Sequence, residues 1–280
     1  MQVLNTIAEL RAARAGISNL GLVPTMGYLH EGHLSLVARA KAECDAVAVS
    51  IFVNPTQFGP NEDLARYPRD LPRDLSLLDA AGADLVFTPE ASEIYPPGFD
   101  TKVEVSGVTD VLEGAVRPGH FAGVATVVAK LFNIVQPTRA YFGQKDAQQS
   151  VVIRKMARDL NLPVEVVVAA TVREPDGLAL SSRNSYLTPP QRAVAPTIFR
   201  ALSAARDLFN AGERDAEALR EAMRRIITAE PQMQVDYVSV ADPTTLHELT
   251  TVGRDALASM AVRLGATRLI DNMRLFSRTP

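Results

Sequence analysis

Residues 46–53, "AVAVSIFV", form an uncharged run of strand length. Side chains of a strand alternate between its faces, so a strand apolar on both must be covered on both, as in a parallel sheet wrapped by helices. The flanking sequence repeats the theme. Strand-like segments at 19–24, 83–89, 139–143 and 163–171 alternate with helical ones at 32–43, 73–82, 123–137 and 146–160. Leu34, Val37, Ala38 and Lys41 carry the period of the first of these helices, Gly82 ends the second and Pro137 stops the third. Residues 1–16 read as an amphipathic helix with Val3, Leu4, Ile7 and Leu10 on one face. Such alternation over 17–172 predicts an α/β fold, a parallel sheet covered by helices. The pattern then changes. A loop-like stretch at 177–191 precedes helical segments near 190–210 and 214–229 and strands at 233–242, 256–265 and 267–275, which predicts a smaller α+β domain. The expected domains are 1–175 and 176–280.

The 280 residues are 47% hydrophobic and 22% charged, enough to bury substantial cores. A net charge of −3 argues against a general nucleic-acid binder. The single cysteine, Cys44, excludes an internal disulfide and suits a reducing compartment, and its surroundings suggest a structural role. The first residues lack the unbroken apolar core of a signal peptide, and no apolar stretch approaches the roughly 20 residues of a membrane span. A cytoplasmic protein is expected.

Polar clusters sit where strands end, which is where ligands bind in open α/β sheets. After the first strand comes "PTMGYLHEGH", residues 24–33. Gly27 permits backbone angles that other residues avoid, Gly32 leaves room near a helix start, and a helix N-terminus favours an anion. His30 and His33 share a face if the turn is helical, and both can donate hydrogen bonds to phosphate oxygens. Zinc and plain capping are the alternatives. The zinc reading suffers from spacing, since metalloprotease histidines are four apart and no cysteine cluster completes a site. Neither a Walker loop nor Gly-x-Gly-x-x-Gly is present.

At the end of the second strand, "FVNPTQFG" offers the amides of Asn54 and Gln57, able to donate and accept toward hydroxyls and a carboxylate. "YFGQKDAQQ", 141–149, again runs strand, glycine, helix. Lys145 brings a point charge for phosphate, Asp146 suits a helix start, and Gln149 follows on the same face. Within "LSSRN", 180–184, two hydroxyls and a guanidinium could clamp a polyphosphate. In "LEGAVRPGHFAGV", Arg117 and His120 flank a Pro-Gly turn before a helix. Each cluster also reads as an ordinary turn or solvated loop.

Together "PTMGYLHEGH", "FVNPTQF", "RPGHFAGV", "FGQKDAQQ", "LSSRN" and "DYVSVADPTTL" resemble the pantothenate synthetase family of the His-x-Gly-His nucleotidyltransferase superfamily, over nearly the whole chain. The resemblance implies a Rossmann-like N-terminal domain, a smaller C-terminal lid domain, a homodimer, and an ATP-dependent ligase using magnesium. In that family the carboxylate of pantoate attacks the α-phosphate of ATP, pyrophosphate leaves, and the amine of β-alanine converts pantoyl adenylate to pantothenate and AMP. By the same resemblance Met26, Gly27, Tyr28, Leu29, His30, Glu31, Gly32 and His33 form the ATP-phosphate turn, with His33 catalytic and His30 its partner. Gln57 and Gln149 hold pantoate, Gln57 also bordering β-alanine, and Asn54, Arg117 and His120 belong to the substrate side. Gly143, Gln144, Lys145 and Asp146 meet the nucleotide, with Lys145 on phosphate, and Val172 touches the adenine. Leu180, Ser181, Ser182 and Arg183 complete the ATP site. The family often has Glu where this chain has Gln144. Adenylation needs charge stabilisation on phosphate rather than a covalent nucleophile, so His33 is expected to act mainly as a hydrogen-bond donor. A charged, proline-marked segment, 59–75, is expected to cover the reactive adenylate. Another His-x-Gly-His nucleotidyltransferase, a silent nucleotide-binding module and, less favoured, a class I aminoacyl-tRNA synthetase are the competing readings.

Overall fold

The structure, a computed structural model, describes residues 1–60 and 62–276. Asn61 of the expected cover segment and residues 277–280 of the expected second domain lie outside the described residues. The described residues form two compact units, one within 1–144 with 152–170, the other of 145–151 with 171–276.

In the first unit the elements run β1 (Gln2–Leu4), α1 (Ile7–Arg14), β2 (Leu20–Thr25), α2 (Glu31–Glu43), β3 (Ala46–Ile51), α3 (Leu71–Ala80), β4 (Leu85–Phe87), α4 (Ala91–Ile94), α5 (Glu113–Val116), α6 (His120–Val135), β5 (Arg139–Gly143), the part of α7 (Ala147–Asp159) from Val152 onward, and β6 (Glu165–Ala169), the first residues of α7 belonging to the second unit. All strand pairs are parallel, in the order β1-β4-β3-β2-β5-β6. The sheet thus grows outward in both directions from β2, and the order reverses between β2 and β5. Chain leaves neighbouring strands toward opposite sides there, which opens a crevice at their carboxyl ends. Val23, Val37, Val47, Val49, Leu78 and Tyr141 belong to one buried cluster joining the sheet to α2 and α3. The long helix α6, almost wholly buried, packs on α1 and β2.

The second unit holds a short 3-10 turn (Ser182–Tyr186), α8 (Pro189–Val194), α9 (Thr197–Asn210), α10 (Ala216–Thr228), and an antiparallel sheet of β7 (Met233–Ala241), β8 (Asp255–Leu264) and β9 (Thr267–Phe276). Every second residue of β8, from Ala256 to Leu264, joins a core with Ile198, Leu202 and Phe209 of α9 and Leu219, Met223 and Ile227 of α10. An α/β architecture with a smaller antiparallel unit agrees with the pattern in the sequence. Among the described residues no helix is long and apolar enough to cross a membrane.

Three local expectations need correction. Residues 1–16 are not one helix. Thr6 and Glu9 form a capping box that starts α1 at Ile7, and the three residues Gln2–Leu4 ahead of it pair with β4 as an edge strand, leaving Val3 exposed. The buried face of α2 is Leu36, Val37 and Ala40, with Ala38 and Lys41 exposed. The helical stretch near 190–210 is two helices parted at Pro196, whose ring nitrogen has no proton to continue the ladder.

Candidate active site

The turn after β2 is built around a carboxylate from another helix. Asp74 of α3, 1% exposed, accepts from the backbone N–H of Tyr28 at 2.6 Å and of Leu29 at 2.7 Å. Both Gly27 (φ 79°) and Tyr28 (φ 51°) are left-handed. A Cβ at Gly27 would lie 3.0 Å from both Asp74 Oδ2 and Ile51 Cγ2, so the position favours glycine twice over. Tyr28 holds this uncommon conformation against a cost of roughly 1–3 kcal/mol, with its N–H on Asp74 and Arg73 over its ring at 5.4 Å. Burial raises the pKa of Asp74 above the usual carboxylate range, although the two N–H bonds and Arg73 act the other way.

From this anchor the chain enters α2 through a box made of two imidazoles. His30 is the N-cap. Its Nδ1 accepts from Gly32 N at 3.2 Å, while Nδ1 of His33 accepts from His30 N at 3.3 Å. A backbone nitrogen can only donate, so both tautomers follow: a neutral ring carries its proton on Nε2. The ring centroids are 4.1 Å apart. The helix start therefore gathers imidazole N–H donors and the positive end of a 13-residue helix dipole.

The second cluster faces the same turn. Asn54, 1% exposed after β3, donates through Nδ2 to Gly123 O at 3.2 Å and accepts through Oδ1 from Thr56 N at 3.4 Å. Those two backbone partners fix which end of the amide is which. Its Nδ2 also donates to Gln57 Oε1 at 3.1 Å, which leaves Gln57 to offer Nε2, 3.2 Å from Met26 Sδ. Tyr95 donates its hydroxyl to Asn54 Oδ1 at 2.8 Å and closes the arrangement. Gly123 lets α6 approach: a Cβ there would sit 2.4 Å from Thr56 O and 2.7 Å from Gln57 N, both backbone atoms. Gly123→Ala should push the Asn54–Gln57 turn out of place, at about 1–3 kcal/mol of stability, and raise the KM of any substrate held by Gln57. A variant with wild-type KM would show that the turn absorbs the methyl group without consequence.

Arg117 and His120 act on this turn from the other side. Arg117 pairs with Glu62 through Nε at 2.7 Å and Nη2 at 2.6 Å, and donates through Nη1 to His120 Nε2 at 3.0 Å. Arginine has no acceptor, so His120 carries its proton on Nδ1 and donates it to Gln57 O at 2.8 Å. Burial, then the neighbouring Arg117, lowers the pKa of His120 to about 4. Its folded value lies below its unfolded one, so the stability it contributes is complete above about pH 6.5 and is lost as pH falls toward 4. His120→Asn keeps a donor for Gln57 O but cannot titrate. Its Tm should fall less steeply than wild type between pH 6.5 and 4, and parallel curves would dismiss His120 as the source.

In the cover segment expected at 59–75, Glu62 is held by Arg117, Tyr67 is buried, and residues from Leu71 onward are the first turn of α3. Cys44 is half-buried, with Sγ 3.3 Å from the Tyr141 hydroxyl.

The remaining candidates are distributed as follows. Gly143 ends β5, and Gln144 closes the first stretch of the first unit. In the second unit Lys145 Nζ stands 3.5 Å from Asp146 Oδ1, its carbonyl accepts from Asn272 Nδ2 at 2.8 Å, and half-buried Gln149 lies on α7. Val172 O accepts from Leu180 N at 3.0 Å across a hairpin bridged at Arg173 and Ala179. Ser181 caps the following turn by accepting from Arg183 N at 3.3 Å, and Ser182 is buried. The structure thus gathers residues 26–33 with Asn54, Gln57, Arg117 and His120 inside one unit, and Lys145 with the 172–183 region inside the other. Among the described residues no group of three or more His, Cys, Asp or Glu is placed to hold a metal ion.

Asp74, Tyr95, Glu62 and the Asp271–Asn272 pair are absent from the sequence-based list. Each acts on a backbone group or side chain dozens of residues away, and no local spacing announces that.

A sequence model described as pantoate-beta-alanine ligase matches residues 2–274. A pantothenate synthetase of Chloroflexus aurantiacus is 67% identical over 276 residues, 98% of each chain. The crystal structure of pantothenate synthetase from Thermus thermophilus superposes with a TM-score of 0.96 at 53% identity, covering 99% of this chain and 100% of that one. Pantoate-beta-alanine ligase from Francisella tularensis, solved with beta-gamma ATP and beta-alanine, gives 0.76 at 34% identity, covering 98% and 97%.

Proposed function

The chain belongs to the pantoate–β-alanine ligase family and is an enzyme that forms pantothenate from pantoate and β-alanine, and we propose that it first adenylates pantoate with ATP. The observation that carries this reading is the paired-histidine start of α2, which gathers N–H donors and a helix N-terminus at the strand ends where a phosphate is received.

A pantoate carboxylate oxygen attacks the α-phosphorus while the bond to the bridging oxygen breaks and pyrophosphate takes its electron pair. The β-alanine nitrogen then attacks the acyl carbon, the acyl–oxygen bond breaks toward AMP, and the nitrogen loses a proton as the amide forms. His30 and His33 stabilise charge on the phosphoryl oxygens by hydrogen bonding, and Lys145 and Arg183 add positive charge to it. Backbone and side chains of Met26 through His33, Gly143 through Asp146 and Leu180 through Arg183 bind ATP, with Val172 on the adenine. Gln57 and Gln149 orient pantoate, and Asn54, Arg117 and His120 serve it through Gln57, whose amide and carbonyl they hold. ATP enters as its magnesium complex, a substrate. Of the cover expected at 59–75, residues 62–70, which precede α3, lie over the adenylate and are held at their start by Glu62 on Arg117. The enzyme works as a cytoplasmic homodimer.

Mass detection of products from ATP, pantoate and β-alanine, each omitted in turn, tests the chemistry. Pyrophosphate should need ATP and pantoate only, while AMP and pantothenate should need all three. Pyrophosphate release that requires β-alanine would remove the adenylate from the scheme.

A further inference from the structure

Two polar residues occupy the middle of the last strand with almost no exposure. Asp271 and Asn272 of β9 are each 4% exposed. Asp271 accepts a bidentate pair from Arg173, Nη1 at 2.6 Å and Nη2 at 2.9 Å. Arg173 donates further to Gly177 O at 3.0 Å and Asn272 O at 3.2 Å, and its guanidinium carbon lies 4.6 Å from the centre of the Phe199 ring. Asn272 donates its own N–H to Asp271 Oδ1 at 2.7 Å and its side-chain Nδ2 to Lys145 O at 2.8 Å. One dipeptide of β9 is therefore fastened to two segments distant in sequence. The first is the turn bearing Lys145. The second is the hairpin from Val172 to Leu180, gripped at Arg173, which also donates to the carbonyl of Gly177 at the hairpin's own tip.

Stability alone does not account for this. Apolar side chains of similar volume generally replace a buried ion pair with no loss, because desolvating two charges offsets their attraction. What an apolar replacement cannot reproduce is a fixed direction for a backbone carbonyl and a guanidinium. We propose that Asp271 and Asn272 are positioning residues for adenylation: they set the Lys145 turn and the Val172–Leu180 hairpin in one fixed geometry. The proposal rests on the reading of Lys145 and residues 172–183 as nucleotide-contacting. Asn272 holds the main chain of Lys145, so its side chain starts from a defined point, and Asp271 holds the hairpin that leads into Ser181–Arg183. Neither residue needs to touch ATP.

The test is pantoate-dependent exchange of pyrophosphate into ATP, which reads adenylation without β-alanine. Asn272→Ala removes the hydrogen bond to the carbonyl of Lys145, and Asn272→Asp keeps the shape but replaces the donor with an acceptor facing a carbonyl. Both should lower the exchange kcat roughly 5- to 10-fold, the aspartate more than the alanine, with the pantoate KM unchanged. Ile226→Ala thins the same unit's core from α10 and controls for lost stability: at a matched fall in Tm it should leave kcat alone. Combined with Lys145→Ala, Asn272→Ala should cost little more, because the lysine it places is gone. Wild-type exchange in both Asn272 variants, or full multiplication of the two effects, would overturn the proposal while leaving the role of Lys145 intact. Wild-type exchange in Lys145→Ala itself would remove the underlying reading, and the proposal with it.

Discussion

His33→Ala is expected to lose adenylation by roughly 10²–10³-fold, measured as pantoate-dependent ATP–pyrophosphate exchange. The imidazole does two things at once. Nδ1 accepts from the N–H of His30, and this leaves the proton of the neutral ring on Nε2, the atom that the proposed function sets against phosphate. Alanine deletes both, but a lost cap costs only about 0.5–2 kcal/mol and is spread over folding, so the kinetic loss should far exceed the change in Tm. Glutamine separates two versions of the chemistry. His33→Gln can put an amide nitrogen near the place of Nε2 and still donate, yet it cannot transfer a proton near neutral pH. If hydrogen bonding is the main effect, His33→Gln should recover a substantial part of the loss. A glutamine variant as slow as alanine would assign proton transfer to His33, and an alanine variant with wild-type exchange would remove the residue from either role.

The second large effect is expected at Asp74. Asp74→Ala leaves the N–H groups of Tyr28 and Leu29 without their acceptor, and each costs about 1–3 kcal/mol when buried. The left-handed pair Gly27–Tyr28 then loses its support, so the histidine box that follows should be misplaced and exchange should fall by about 10²-fold or more. Acid titration separates position from stability. The folded pKa of Asp74 lies above its unfolded value because burial penalises the charge. Its contribution to stability is therefore complete below the ordinary carboxylate range and shrinks as pH rises through the raised folded value. Protonation nevertheless weakens an acceptor that two N–H groups share. On acidification, wild-type exchange should decline without a loss of Tm from this group, and Asp74→Asn should show the slow exchange already at neutral pH. Asp74→Ala with unaltered exchange would show that the turn keeps its shape unaided.

The parallel sheet was legible because β3 is uncharged along its length and because glycine or proline closes most helices, at Gly82 and Pro137 for instance. Local chemistry decided those elements. It also exposed the histidine pair, since three-residue spacing at a helix start has few meanings. The N-terminal strand was hidden because Val3 and Leu4 fit a helical period equally well, and only an edge pairing with β4, at Leu85–Phe87, distinguishes the two. Arg117 and His120 looked like loop groups free to meet a substrate. Their engagement with Glu62 and with Gln57 O depends on α6 starting beside the 3-10 turn at Pro55–Gln57, which no periodicity encodes. Asp74 shows the same limit: in sequence it is one acid in the first turn of a helix, and its partners lie 45 and 46 positions earlier.

The way the chain is divided also bears on how these enzymes can be recombined. The peptide passes from one compact unit to the other at 144/145, returns at 151/152 and crosses again at 170/171. A hybrid made by splicing two relatives at a single junction near residue 170 would join Lys145–Val151 of one parent to a β9 grown in another. Grafting that short insert together with the carboxyl-terminal portion keeps Lys145 and Asn272 as partners that arose in the same ancestor.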